Sequence, residues 1–227
     1  MKQAVLFDLG NTLVSYYTRD EWPGVLEQAI AEVTAYLRAR GLLTVNLEEL
    51  PARVQGERGE RDDFRVKPLA ERLARIFNLP EIDVEACRCF MRPIFAMARV
   101  YDDTLPTLAE LRRRGFKTGI LSNTPWGSPA ELWREELSRH GLLDAVDTVV
   151  FCDDVGWRKP DPRPFEFICR KLAIPPTECL FVGDDPRWDI VGPQGVGMDA
   201  ILIDRTGTAT TAEATCIRTL TGLLQRL

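Results

Sequence analysis

The chain has 227 residues, 45% of them hydrophobic and 28% charged, which fits a folded protein of one large domain or one with a sizeable insertion and excludes a disordered chain. Its 29 basic and 34 acidic side chains leave a net charge of −5, the wrong sign for a nucleic-acid binder but no obstacle to a small anionic substrate. No stretch approaches the roughly 20 apolar residues of a membrane span, so no membrane contact is expected.

The first predicted strand is Ala4–Phe7, a short apolar run that ends at Asp8. That run is too short for a signal-peptide core, so a cytoplasmic location is expected. From Val14 to Tyr101 no strand is predicted. Leu26, Ile30, Val33 and Leu37 recur at helical spacing, and Gly41 closes that helix. The stretch Glu48–Leu79 is dense in charge, and its pairs Glu57/Arg61 and Glu71/Arg75 read as a solvated helix face. Cys87 and Cys89 offer too few ligands for a metal site and read as buried thiols. With Cys152, Cys169, Cys179 and Cys216 they form no disulfide framework.

Beyond Tyr101 strands and helices alternate. A helix carries Leu105, Leu108 and Leu111 and closes on Arg112-Arg113-Arg114-Gly115, cations and a glycine suited to a helix C-terminus. Strands are predicted at Thr118–Leu121 and Val146–Phe151. Between them Ser128-Pro129-Ala130-Glu131 reads as a capping box that opens a helix ending at the sole histidine, His140. With that histidine in a capping position, Ser-His-Asp hydrolysis and His-rich zinc sites are excluded as readings. Phe165, Ile168, Cys169 and Leu172 mark the next helix, followed by strands Cys179–Val182 and Ala200–Ile203. Pro193 predicts a late start or a kink in the helix between those two strands. A closing helix is expected over 211–227. The pattern is that of an α/β fold with a doubly wound parallel sheet, residues 1–13 and 102–227, carrying an inserted all-helical cap over 14–101.

In an open α/β sheet, ligands bind outside the carboxyl ends of the strands. The residues there are Asp8 with Gly10 and Thr12, then Ser122 and Asn123, then Lys159 in the loop after Phe151, then Asp184, Asp185 and Asp189. Carboxylates gathered in this way repel unless a cation or proton offsets them. A hard cation such as Mg²⁺ suits oxygen ligands and a phosphate. Asp8 is placed to attack phosphorus, Ser122 and the Asn123 amide to hydrogen-bond the phosphoryl oxygens, and Lys159 to offset their charge.

The segments Phe7-Asp8-Leu9-Gly10-Asn11-Thr12-Leu13, Leu121-Ser122-Asn123, Gly156-Trp157-Arg158-Lys159-Pro160-Asp161-Pro162 and Phe181-Val182-Gly183-Asp184-Asp185, with Asp189 beyond, resemble the motifs of the haloacid dehalogenase-like (HAD) hydrolases. The resemblance spans nearly the whole chain in the expected order. It implies a mobile helical cap and Mg²⁺-dependent hydrolysis of a small phosphorylated metabolite. It further implies that Asp8 is nucleophile and metal ligand, with the Gly10 carbonyl and Asp184 completing the protein's ligands. Ser122 and Lys159 would hold the phosphoryl group, with Thr12, Asp185 and Asp189 in support.

One position departs from the family's phosphatase pattern. Gly10 stands where a second Asp usually protonates the leaving group, a role worth about 10²–10⁴ in rate. The protein then acts on substrates with good leaving groups, or draws its acid from Asp20, Tyr16, Tyr17 or Asp185, or binds phosphate or a partner without turnover. Dehalogenation of haloacids ranks below phosphate hydrolysis. Dehalogenases of this kind resemble each other in carrying an aromatic residue at the Gly10 position and no metal-binding acid in the last motif. Phosphonate cleavage would need a cap lysine, and Lys67 reads as solvated. Trp126 and Trp157 follow site motifs and are expected to line the pocket.

Overall fold

The computed structural model describes residues 2–207 and 215–227. The chain begins with β1 (Ala4–Phe7) and β2 (Val14–Ser15). Four helices follow, α1 (Trp22–Ala39), α2 (Leu50–Glu57), α3 (Leu69–Phe77) and α4 (Val84–Ala96), and then β3 (Arg99–Val100). Next come α5 (Thr104–Arg113), β4 (Lys117–Ser122), α6 (Ala130–Arg139), β5 (Thr148–Phe151), the single turn α7 (Cys152–Val155) and α8 (Pro162–Leu172). The last elements are β6 (Cys179–Gly183), the turn α9 (Gly192–Gly195), β7 (Asp199–Ile203), β8 (Cys216–Ile217) and α10 (Leu220–Leu224).

The main sheet is wholly parallel, in the order β5-β4-β1-β6-β7-β8. Side chains alternate across a strand, and here both sides are buried. Val5 and Phe7 of β1 join one core with Leu108 and Leu111 of α5 and Leu220 and Leu223 of α10. Ala4 and Leu6 join a separate core with Phe165, Ile168 and Cys169 of α8. Helices therefore cover both faces, as the near-continuous apolar runs predict. The chain steps from β1 outward through β4 to β5, then returns to the other side of β1 for β6, β7 and β8. That reversal opens a crevice beside the carboxyl end of β1.

Between β1 and α5 the chain is mainly helical. α1 packs on α4, and Val25, Leu26, Ala29, Ile30, Val33 and Leu37 of α1 are buried. Two short strands qualify the expectation of none. β2 and β3 pair antiparallel at the two ends of the insertion, Val14 opposite Val100 and Ser15 opposite Arg99. Two-residue strands carry too little alternation to be read from sequence.

The structure corrects other expectations. Ser128 is not a helix cap: its hydroxyl accepts from the Trp133 indole at 2.9 Å, while Asp153, from the turn after β5, accepts from the Ala130 N–H at 3.0 Å. Asp153 thus does for α6 what the local sequence was expected to do. Its neighbour Asp154 accepts from the Phe151 N–H at 2.8 Å and pairs with Arg134. β5 starts at Thr148 rather than Val146; Asp147 before it donates its N–H to the Thr118 carbonyl at 2.9 Å and accepts from the Thr118 N–H with its carboxylate at 2.8 Å. The expected closing helix is reduced to Leu220–Leu224. Cys216–Ile217 pairs as a strand with β7, and 211–214 lie outside the described residues. Where Pro193 predicted a late start or a kink, the helix begins as a π-type turn over Pro186–Val191 that runs directly into α9.

The charged stretch 48–79 is not simply a solvated face. Arg72 is fully buried, and its guanidinium donates to the carbonyls of Lys67, Glu57 and Gly59 and to Glu60. Glu57 pairs with Arg75, not with Arg61. The six cysteines are free thiols, buried except for Cys216. Among the described residues, no helix is long and apolar enough to cross a membrane.

Candidate active site

Three adjacent strands deliver the central side chains. β4, β1 and β6 lie side by side, with Phe7 opposite both Ile120 and Val182. Their carboxyl ends therefore bring Asp8 beside Ser122 and Asp184, each one residue beyond the level of Asp8, at strand spacings of about 4.8 Å. Ser122 donates its hydroxyl to Asp8 Oδ1 at 3.0 Å. Lys159 reaches in from the loop after α7 and donates to the same oxygen at 2.6 Å and to Asp189 Oδ1 at 2.7 Å. Among the described residues, every side-chain hydrogen bond to Asp8 falls on Oδ1.

The supporting contacts explain why Lys159 sits there. The Asn123 side chain brackets it, accepting from the Lys159 N–H at 2.8 Å and donating to the Lys159 carbonyl at 3.1 Å. Asn123 thus spends its side-chain amide on the protein rather than on a ligand. Asp189 is held in the cluster from the π-type turn: its N–H donates to the Asp185 carbonyl, and its Oδ2 accepts from the Asp185 N–H at 3.1 Å. A β-carbon on Gly183 would collide with the Asp189 carboxylate, so glycine at the end of β6 makes room for it. Thr12 is buried, and among the described residues its hydroxyl has no partner.

Carboxylate oxygens of Asp8, Asp184 and Asp189 lie within 4.8 Å of one another. Burial, then the charges of Asp8 and Asp189, push the Asp184 carboxyl up to about 8. Burial raises Asp189 to about 6 despite the opposing pull of Lys159. Burial also pulls Lys159 down, but Asp189 and Asp8 outweigh it and hold the ammonium above the ordinary lysine range. One lysine does not offset this many acids, and further positive charge is what the cluster lacks.

The cluster opens into a cavity of about 540 Å³. Its walls include Gly10, Tyr16, Tyr17, Trp126 and Asp185 as the sequence suggested, but also Arg58, Glu60, Arg158 and Trp188, which sequence reading did not single out. Nothing in the local sequence marks Arg58 or Glu60, since only the fold brings the insertion over the strand ends. Asp20 and Trp157 do not line the cavity. Trp157 is held between Arg163 and Arg65, whose guanidiniums lie 4.1 and 5.5 Å from its ring centre. Another groove, of about 700 Å³, lies between α1 and α2 and shares Arg58 with this cavity.

Comparison with known proteins agrees with this arrangement. The family described as haloacid dehalogenase-like hydrolase matches residues 2–197. Phosphatase MT3486 of Mycobacterium tuberculosis is 31% identical over 209 residues, 90% of this chain and 88% of that protein. (S)-2-haloacid dehalogenase 1 of a Pseudomonas species is 36% identical over 105 residues, 46% of this chain and 44% of that one. The crystal structure of a HAD phosphatase from Thermococcus onnurineus superposes with a TM-score of 0.70 at 30% identity, covering 100% of this chain and 97% of that one. With its motifs assembled at one sheet edge and the family match running through nearly all of it, the chain belongs to the haloacid dehalogenase-like hydrolases.

Proposed function

We propose that the protein hydrolyses small phosphomonoesters through a phosphorylated Asp8, with Mg²⁺ as cofactor. One observation carries this reading: Asp8 is fixed by Ser122 and Lys159 beside two further acids that burial holds above their ordinary range. The donor set suits a hard, oxygen-loving cation. Both oxygens of Asp189 are committed, to Lys159 and to the Asp185 N–H, so Asp8, Asp184 and the Gly10 carbonyl are the groups that would hold Mg²⁺. When bound, the ion supplies positive charge to the phosphoryl oxygens.

The chain's own residues then divide the work. An Asp8 carboxylate oxygen attacks phosphorus, and the bond from phosphorus to the leaving oxygen breaks with its electron pair. Ser122 donates to a phosphoryl oxygen, and the Lys159 ammonium offsets the charge on the transferring group. Water then cleaves the acyl phosphate, releasing phosphate and restoring the Asp8 carboxylate. Asp189 and Asn123 keep Lys159 in place throughout.

The test is hydrolysis of 4-nitrophenyl phosphate with Mg²⁺, with chelator, and by Asp8→Asn. Turnover that needs Mg²⁺ and disappears in Asp8→Asn is the expected outcome. No turnover above the Asp8→Asn blank overturns the reading, and metal-independent halide release from a 2-haloacid in its place identifies a dehalogenase.

A further inference from the structure

Gly10 leaves the site without the family's usual proton donor, and the cavity shows whether another group replaces it. Among the described residues, the carboxyl groups that line it are Asp8, Glu60, Asp184, Asp185 and Asp189. Asp8 is the nucleophile and Asp184 a metal ligand in the reading above. Asp189 is bonded through both oxygens. Asp185 accepts from Arg19 at 2.7 Å and from the Arg187 N–H at 3.0 Å. Glu60 Oε2 is shared by Arg72 at 2.9 Å and Arg158 at 3.3 Å, which together hold it as an acceptor. Tyr16 and Tyr17 are phenols that burial pushes above the ordinary tyrosine range, the wrong direction for giving up a proton. Asp20 is outside the cavity. Among the described residues, no lining carboxyl group is left over to protonate a departing alkoxide, and the unpartnered Tyr16 hydroxyl is held by burial as a weaker acid than an ordinary phenol.

The walls supply a second, independent observation. Six aromatic side chains line the same cavity: Tyr16, Tyr17, Trp22, Trp126, Trp133 and Trp188. Tyr17 and Trp22 stack at 5.0 Å between ring centres and both remain half-buried. Tyr16 meets Trp133 edge-on at 5.5 Å. Tyr16, Trp126 and Trp133 are buried against the core, so the half-buried Tyr17, Trp22 and Trp188 are the rings this wall presents to a leaving group, beside Arg58 and the paired Arg19 and Arg158.

Resting on the phosphatase reading, we infer that the substrate is an aryl phosphate: an ester whose leaving oxygen is attached to an aromatic ring. Such an oxygen departs as a stabilised aryloxide. The P–O(aryl) bond breaks as Asp8 bonds to phosphorus, the electron pair leaves with the aryloxide, and its proton comes later from solvent. The aromatic wall receives the ring by stacking and edge contacts. The missing acid and the aromatic wall are then two sides of one specificity.

The test compares phenyl phosphate with ethyl phosphate in the presence of Mg²⁺, and separately phenylphosphonate with methylphosphonate as ligands followed by tryptophan fluorescence. Expected are a kcat/KM for the phenyl ester about 10²–10⁴-fold above that for the ethyl ester, since no acid assists the alkoxide. Phenylphosphonate should also bind at least about tenfold more tightly than methylphosphonate, and Trp22→Ala should erase most of that preference. Esters turned over within tenfold of each other, or phosphonates bound equally, overturn the aryl assignment while leaving the phosphatase reading intact. Failure to turn over either ester above the Asp8→Asn blank overturns the phosphatase reading and with it the aryl substrate. In that case the phosphonate pair still reports whether the cavity selects aromatic rings.

Discussion

Gly10 is the residue on which the chemistry turns. A β-carbon there meets nothing within 4 Å, and its backbone lies outside the left-handed region that would oppose a side chain. A side chain can therefore start at this position without strain. Gly10→Asp is expected to raise turnover of ethyl phosphate about a hundredfold and to narrow the gap to phenyl phosphate, as measured by steady-state kinetics on both esters. The acids beside it make a second prediction, for protein freed of metal. Asp184 and Asp189 have folded-state values of about 8 and about 6, above those of an unfolded chain near 4. The folded state then binds more protons than the unfolded state between those limits. Stability from these groups is full below about pH 4 and is lost as pH rises through about 6 and then about 8. Thermal melts of the metal-free protein should show that decline superimposed on other titrations, and Mg²⁺ should restore stability most strongly near pH 8.

At the scale of elements, α6 depends on a residue far from it in sequence. Its first turn has Pro129 at the N-cap with no side-chain cap of its own, and the half-buried Asp153 accepts from the Ala130 N–H instead. Asp153→Ala is expected to lower stability by about 0.5–2 kcal/mol, the ordinary worth of a helix N-cap, in chemical denaturation. Asp153→Asn should recover most of it, because an amide oxygen accepts the same bond. The turn after β6 shows a similar division of labour. The helix there begins as a π-type turn rather than an α-helix, and the Asp185 carbonyl and N–H hold Asp189 within 2.7 Å of Lys159. The π-type start is compatible with the site because the hydrogen bonds that matter are local to the turn.

For the whole molecule, the joint between the helical insertion and the α/β core is the distinctive feature. The Val66 N–H donates to the Gly156 carbonyl at 3.0 Å, and the Arg158 N–H donates to the Phe64 carbonyl at 2.8 Å. The insertion is thereby stitched to the residues just before Lys159. Arg72 organises this joint: it binds carbonyls around 57–67, lies 5.3 Å from the Trp126 ring centre, and shares Glu60 with Arg158. Removing it leaves a buried cavity and several part-buried acceptors without their donor at once. Arg72→Met is expected to cost about 3 kcal/mol or more in denaturant unfolding. Protease sensitivity should rise around residues 58–67. Opening of the insertion as a cap must break these bonds or leave this segment behind.

Much of the core was legible from sequence because its signals are local. Short apolar runs ending in Asp8, Ser122 and Asp184 specify buried parallel strands and place their polar neighbours at the carboxyl edge. The order of motifs was enough to name the family, and Asp8, Ser122, Lys159 and Asp189 are indeed brought together. Where a side chain's partner lies far along the chain, local pattern was silent or misleading. Ser128 looked like a cap, but Asp153 caps the helix; the charges of 48–79 looked like a solvated helix face, but Arg72 among them is buried; Glu60 and Arg58 reach the cavity only through the folded insertion. The physical reason is range. Strand burial and helix periodicity are set by neighbours a few residues away, whereas the choice among hydrogen-bond and ion-pair partners is made only when distant segments pack.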